Sequence, residues 1–136
     1  MQQAVCATAS NCPQSPQMYK YDHAGTRLNG RVIQRSVYGP PGYGEAPATG
    51  PKVKITILQL DCPIDIRPER NAKAPETSNL TYFHKIKEIQ LFFDNKAQKH
   101  FALQHLGRTV IVNGRLEEAV AGGEYTKVIM TVEQIH

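Results

Sequence analysis

The sequence predicts a mainly β domain with one helix, and three observations predict it. Apolar and polar residues alternate in five separate runs, the period-two pattern of half-buried strands. Only one segment, residues 96–106, spaces its apolar side chains as a helix does. That segment lies between the third and fourth runs, which gives the order β-β-β-α-β-β, the connectivity of a five-stranded OB-like barrel.

The elements follow in order. Residues 1–25 hold no strand or helix period, and Asn11-Cys12-Pro13-Gln14-Ser15-Pro16 is turn and linker chemistry, so they read as an irregular N-terminal arm. A single barrel domain is expected over residues 26–136. Its first strand is Thr26 to Tyr38, with Leu28, Gly30 and Val32 on one face and Arg27, Asn29 and Arg31 on the other. Pro40 and Pro41 lack backbone donors and end it. A long Gly- and Pro-rich loop then runs to Pro51, and ordered loops of that length tend to carry function.

The second strand, Lys52 to Asp61, alternates Val53, Ile55 and Ile57 with Lys54 and Thr56, and is expected to stop at Cys62-Pro63, with a short extension at Ile64 to Ile66. Arg67 to Asn79 reads as a second long loop. Tyr82 to Phe93 is the third strand, and its imperfect alternation predicts a bulge. Asp94 and Asn95 are N-cap residues for the helix, and Gly107 is its stop. Val110, Val112, Gly114 and Leu116 face one way in the fourth strand. Ala121-Gly122-Gly123-Glu124 forms the turn, and the last strand is Tyr125 to Ile135 with Val128, Met130 and Val132 inward. Gly30 and Gly114 suit the tight coiling of a small barrel.

At 136 residues, 40% hydrophobic and 21% charged, the chain fits one globular domain able to bury its own core. No apolar run approaches a membrane span. No secretory signal is present: Met1-Gln2-Gln3 lacks a basic start and an apolar stretch, and reads as a mature exported chain preceded by an added Met. The net charge of +4 is spread along the chain without long runs, the pattern of a solvated surface. The three cysteines, Cys6, Cys12 and Cys62, allow one bridge and one free thiol, with the pairing open. They form no C-x-x-C pair and no His is near, so a metal site is not expected.

Catalytic patterns are missing. There is no G-x-S-x-G, and His100 and His105 are five apart, off the i, i+4 spacing of a helical zinc pair. Glu117 and Glu118 alternate faces, and Asp61 and Asp65 flank Cys62-Pro63 without sign of distinct environments. Gly39 to Gly44 is no phosphate loop, because Pro40 and Pro41 remove the needed donors. Asn79-Leu80-Thr81 matches a glycosylation sequon by three residues only. Neither catalysis nor a cofactor is expected.

The remaining signal is geometric. In OB barrels the loop joining strands one and two and the loop joining strands four and five flank the ligand face. Here those loops supply Tyr38, Tyr43 and Glu45 from one side and Gly122, Gly123, Glu124 and Tyr125 from the other. Tyrosines set among Gly and Pro make rigid contact surfaces. An alternative basic face would use Arg31, Arg35, Lys52 and Lys54.

Tyr38-Gly39-Pro40-Pro41-Gly42-Tyr43-Gly44-Glu45-x-Pro47, followed by Ile57-Leu58-Gln59-Leu60-Asp61-Cys62-Pro63-Ile64, resembles an uncharacterised family of bacterial exported proteins known as a domain of unknown function. The likeness runs over roughly Thr26 to Ile135. It implies an OB-like barrel in a Gram-negative envelope and no catalytic residues. By class, such small exported barrels act as inhibitors or immunity proteins. The expectation is therefore a periplasmic, non-enzymatic binding module whose partner is a protein, a secreted toxin or cell-wall enzyme. The alternative is an OB-type binder of single-stranded nucleic acid or oligosaccharide.

Overall fold

A computed structural model describes residues 12–40, 42–44, 50–68 and 82–136. Cys6, Glu45, Pro41, Pro47, the sequon at residues 79–81 and most of the second long loop lie outside the described residues. Among those described, six strands and one helix form: β1 (Gln17–Lys20), β2 (Thr26–Tyr38), β3 (Lys52–Arg67), β4 (Phe83–Phe93), α1 (Lys96–Gln104), β5 (Thr109–Glu118) and β6 (Val128–Ile135).

Five of the strands close on themselves. β2 pairs antiparallel with β3 and β5, β3 with β4, and β5 with β6, while β4 and β6 close the ring in parallel. A parallel pair needs a crossover connection, and α1 with β5 supplies it. This is the OB-like barrel that the alternation predicts.

Alternation also fills the interior. Val32 faces Leu58, which faces Ile89 in turn, and all three are fully buried. Val112, Leu116, Met130 and Val132 complete the core, with Ala102 of α1 closing one end. Each such burial stabilises by about 1.5–3 kcal/mol. Gly30 and Gly114 sit where strands cross closely. A Cβ would lie 2.4 Å from the Gln59 carbonyl oxygen at Gly30 and 2.2 Å from that of Thr131 at Gly114.

Four features differ from the sequence reading. The arm holds a short strand: β1 pairs parallel with the far end of β3, Gln17 opposite Ile64 through Lys20 opposite Arg67. β3 does not stop at Cys62-Pro63 but runs through to Arg67. Its ladder to β4 slips between Gln59 and Ile64, and the irregularity accommodates a proline without a donor. The face carrying Val53, Ile55 and Ile57 is outward, since the barrel interior takes Leu58 and Leu60 instead. Finally, β6 begins at Val128, so Tyr125 belongs to the preceding loop.

The helix obeys its caps. Asn95 accepts a hydrogen bond from the Gln98 backbone N–H at 2.9 Å, and Gly107, at φ +80°, turns the chain into β5. The bulge expected in the third strand is the slip against β3. There Asp65, 7% exposed, accepts from the Lys85 backbone N–H at 2.9 Å. Cys12 is bridged to Cys62 with their Cα atoms 5.4 Å apart, which ties the arm to β3 beside β1.

Candidate binding groove

The β2–β3 and β5–β6 loops meet at one edge of the barrel. Tyr43 adopts φ +52°, a left-handed conformation that costs a non-glycine residue roughly 1 kcal/mol or more. It is held there by its backbone N–H, which donates to the Gly39 carbonyl at 3.0 Å. Its ring lies against Gly122: a Cβ there would fall 2.6 Å from the ring. The Tyr43 and Tyr125 rings are tilted at 56° with centroids 6.3 Å apart, the edge-to-face range of an aromatic pair.

Tyr125 is fixed from three sides. Its hydroxyl donates to the Tyr38 carbonyl, its backbone N–H donates to the Gln90 side chain at 2.7 Å, and its ring meets Tyr43. Lys52 lies over the Tyr38 ring at 5.1 Å, a cation–π contact. Glu124 turns inward on its own loop: its carboxylate accepts from the backbone N–H groups of Val120 at 2.6 Å and Ala121 at 3.0 Å. The structure thus brings together Tyr38, Tyr43, Gly122, Gly123 and Tyr125, and gives Glu124 to the turn itself.

Below this edge an open groove of about 520 Å³ runs over β3 and β4 to the start of α1. Its walls include Tyr43 and Tyr125 from the loops, Val53 and Ile55 from β3, and Gln90 and Phe92 from β4. Register places Ile33, Ile57 and Gln90 side by side on the outward face, so alternation adds Val53, Ile55 and Phe92 to that face. Tyr43, Val53 and Phe92 are each more than a third exposed, although burial is the norm for such side chains. Phe93, one residue on, packs against the core instead.

The four basic residues considered from sequence separate. Arg31 and Arg35 lie on the outward face of β2, with Arg31 in a shallow depression beside Asp61, Lys87 and Glu88. Arg35 forms a two-pronged ion pair with Glu88, Nη1 to Oε1 at 2.9 Å and Nη2 to Oε2 at 2.7 Å. Hydrogen bonds from Arg35 hold the Glu88 carboxyl below its ordinary range, and the same bonds raise the Arg35 guanidinium. Lys54 alone lines the groove, where Lys96 and Lys99 of α1 join it, with Asp94 nearby. Sequence reasoning missed these two lysines, because only the fold turns the helix start toward β3.

Gln90 was also missed. It is 3% exposed, and its amide donates to the Gly123 carbonyl at 3.2 Å while its oxygen takes the Tyr125 N–H. A polar residue inside the apolar run Ile89-Gln90-Leu91 was the available signal, since buried amides must be bonded. Histidines do not gather: His105 stacks on Phe101 at 4.0 Å, and His84 lies 3.4 Å from Asp65. Among the described residues no three His, Cys, Asp or Glu side chains come close enough to hold a metal ion. None of the described helices is long and apolar enough to cross a membrane. Compared with known proteins, the chain matches no protein-family model and no curated protein sequence.

Proposed function

We propose that the protein is a non-enzymatic binding module of the bacterial envelope. It engages a protein partner through the edge formed by its two loops, as an inhibitor or immunity protein for a secreted toxin or cell-wall enzyme. The observation that carries this reading is the fixed pairing of Tyr43, Gly122 and Tyr125. Aromatic side chains locked by packing and hydrogen bonds lose little entropy on binding, and such anchors dominate interface energetics. The Cys12–Cys62 bridge supports the compartment, because structural disulfides persist where the surroundings are oxidising.

The test is affinity capture from an envelope extract with the oxidised chain as bait, after nuclease treatment. One stoichiometric protein partner, lost with Tyr43→Ala at an unchanged melting temperature, supports the reading. A partner retained equally by wild type and Tyr43→Ala removes the loop edge from it.

A second reading, an OB-type binder of single-stranded nucleic acid, is favoured by one arrangement: Lys54, Lys96 and Lys99 beside the exposed Phe92 ring. Its mark is an affinity for oligonucleotide that falls steeply as salt rises.

A further inference from the structure

We infer that the groove over β3 and β4 receives an extended acidic segment of the partner, with an apolar or aromatic side chain seated between Val53 and Phe92. This inference rests on the protein-binding reading and assigns the chemistry of what is bound.

Charge gives the first argument. Lys54, Lys96 and Lys99 border the groove and Asp94 is the one acid among its lining residues, so the local balance is positive. Two of these lysines stand where the helix would not place them. α1 has no acidic residue in its first turn, and Lys96 and Lys99 occupy that turn instead. The positive end of a helix dipole favours acids there and repels lysines. Helix stability therefore does not account for them, whereas an anionic occupant of the groove does.

Shape gives the second. Val53 and Ile55 on β3, and Gln90 and Phe92 on β4, repeat every second residue on one face. That spacing is about 7 Å, the spacing of alternate side chains in an extended peptide. Val53 and Phe92, 39% and 37% exposed, offer apolar contact that water covers poorly. The groove has room for a few residues and not for a folded module.

A polypeptide fits better than a nucleic acid. Stacking platforms need successive open rings. Phe92 is the one phenylalanine lining the groove with more than a third of its surface exposed, and Tyr43 has part of its ring against Gly122.

The experiment pans a phage library of random decapeptides on the oxidised full chain and on a Lys54→Glu/Lys96→Glu/Lys99→Glu variant. Wild type should enrich peptides rich in Asp and Glu around one aromatic or large aliphatic residue. The variant should bind those peptides roughly tenfold more weakly or worse and enrich basic ones instead. All three lysines are exposed, so the variant folds, and relief of the helix start holds or raises its melting temperature. No enriched consensus, or one that the variant selects equally, overturns the inference. A thymidine octanucleotide bound more tightly than the best peptide, with steep salt dependence, overturns it in favour of nucleic acid. Capture of an envelope protein by the lysine variant but not by Tyr43→Ala removes the groove and leaves the loop-edge reading. Acidic peptides enriched with no envelope protein captured does the reverse.

Discussion

Gln90 and Tyr125 come from a barrel strand and a surface loop, and one buried amide joins them. The Gln90 oxygen takes the Tyr125 N–H at 2.7 Å while its nitrogen donates to the Gly123 carbonyl at 3.2 Å. The loop is held to the barrel wall by a side chain that pairs on both of its polar atoms. A glutamine so placed leaves its partners unsatisfied when it is removed.

Gln90→Leu should therefore destabilise the fold by about 2 kcal/mol, the desolvation penalty of orphaned backbone groups. Urea unfolding measures the loss, and amide exchange at Gly123 and Tyr125 should rise more than at Ile89. Equal protection in the variant would mean that the loop holds its shape without Gln90.

Two glycine substitutions should part company. Gly114→Ala drives a Cβ against the backbone of Thr131 at 2.2 Å, where neither strand can yield. It should cost about 3 kcal/mol or more, the upper range of overpacking. Gly122→Ala meets only the Tyr43 ring, which can swing away. Its stability should change by less than about 1 kcal/mol, while partner binding falls. Thermal melts of both variants, with binding measured on the second, check the contrast.

Reduction of Cys12–Cys62 should destabilise the described fold by up to about 4 kcal/mol, on the chain-entropy scale for a closed loop of roughly 50 residues. The Cys12→Ser/Cys62→Ser variant avoids reductant. Hydrogen exchange should show β1 losing protection first, because four parallel pairings alone then hold it.

The Arg35–Glu88 pair carries a pH dependence of definite sign. Glu88 titrates below its ordinary range in the folded chain, so its contribution is present above the unfolded carboxylate value and is lost as pH falls through the lower folded one. Both side chains are more than a third exposed, and solvent screening keeps the pair to about 0.5 kcal/mol. Glu88→Gln should be less stable than wild type by that amount at pH 7 and equal to it near pH 2. Paired urea titrations at the two pH values decide it.

The barrel was legible in sequence because period two is a local property: Leu28, Gly30 and Val32, or Val110, Val112 and Leu116, reveal their face within a few residues. β1 was not legible, since four residues, Gln17-Met18-Tyr19-Lys20, are too few to show a period. Alternation in β3 showed that a face existed but not which way it turned. Val53 and Ile57 look inward by pattern, yet the partner strands and not the pattern decide. At the site, Tyr43, Gly122 and Tyr125 could be expected to meet because loop position follows from strand order. Lys96 and Lys99 could not, because their nearness to Lys54 depends on where the helix docks.

The bridge from Cys12 to Cys62 encloses β1, β2 and most of β3, all in the first half of the chain. A polypeptide delivered across a membrane with its N-terminus leading presents both cysteines before β4 emerges. Oxidation can then lock the β2–β3 hairpin as a preassembled template. The parallel pairing of β4 with β6, which waits for the last residues, completes a barrel already covalently committed to its first seam.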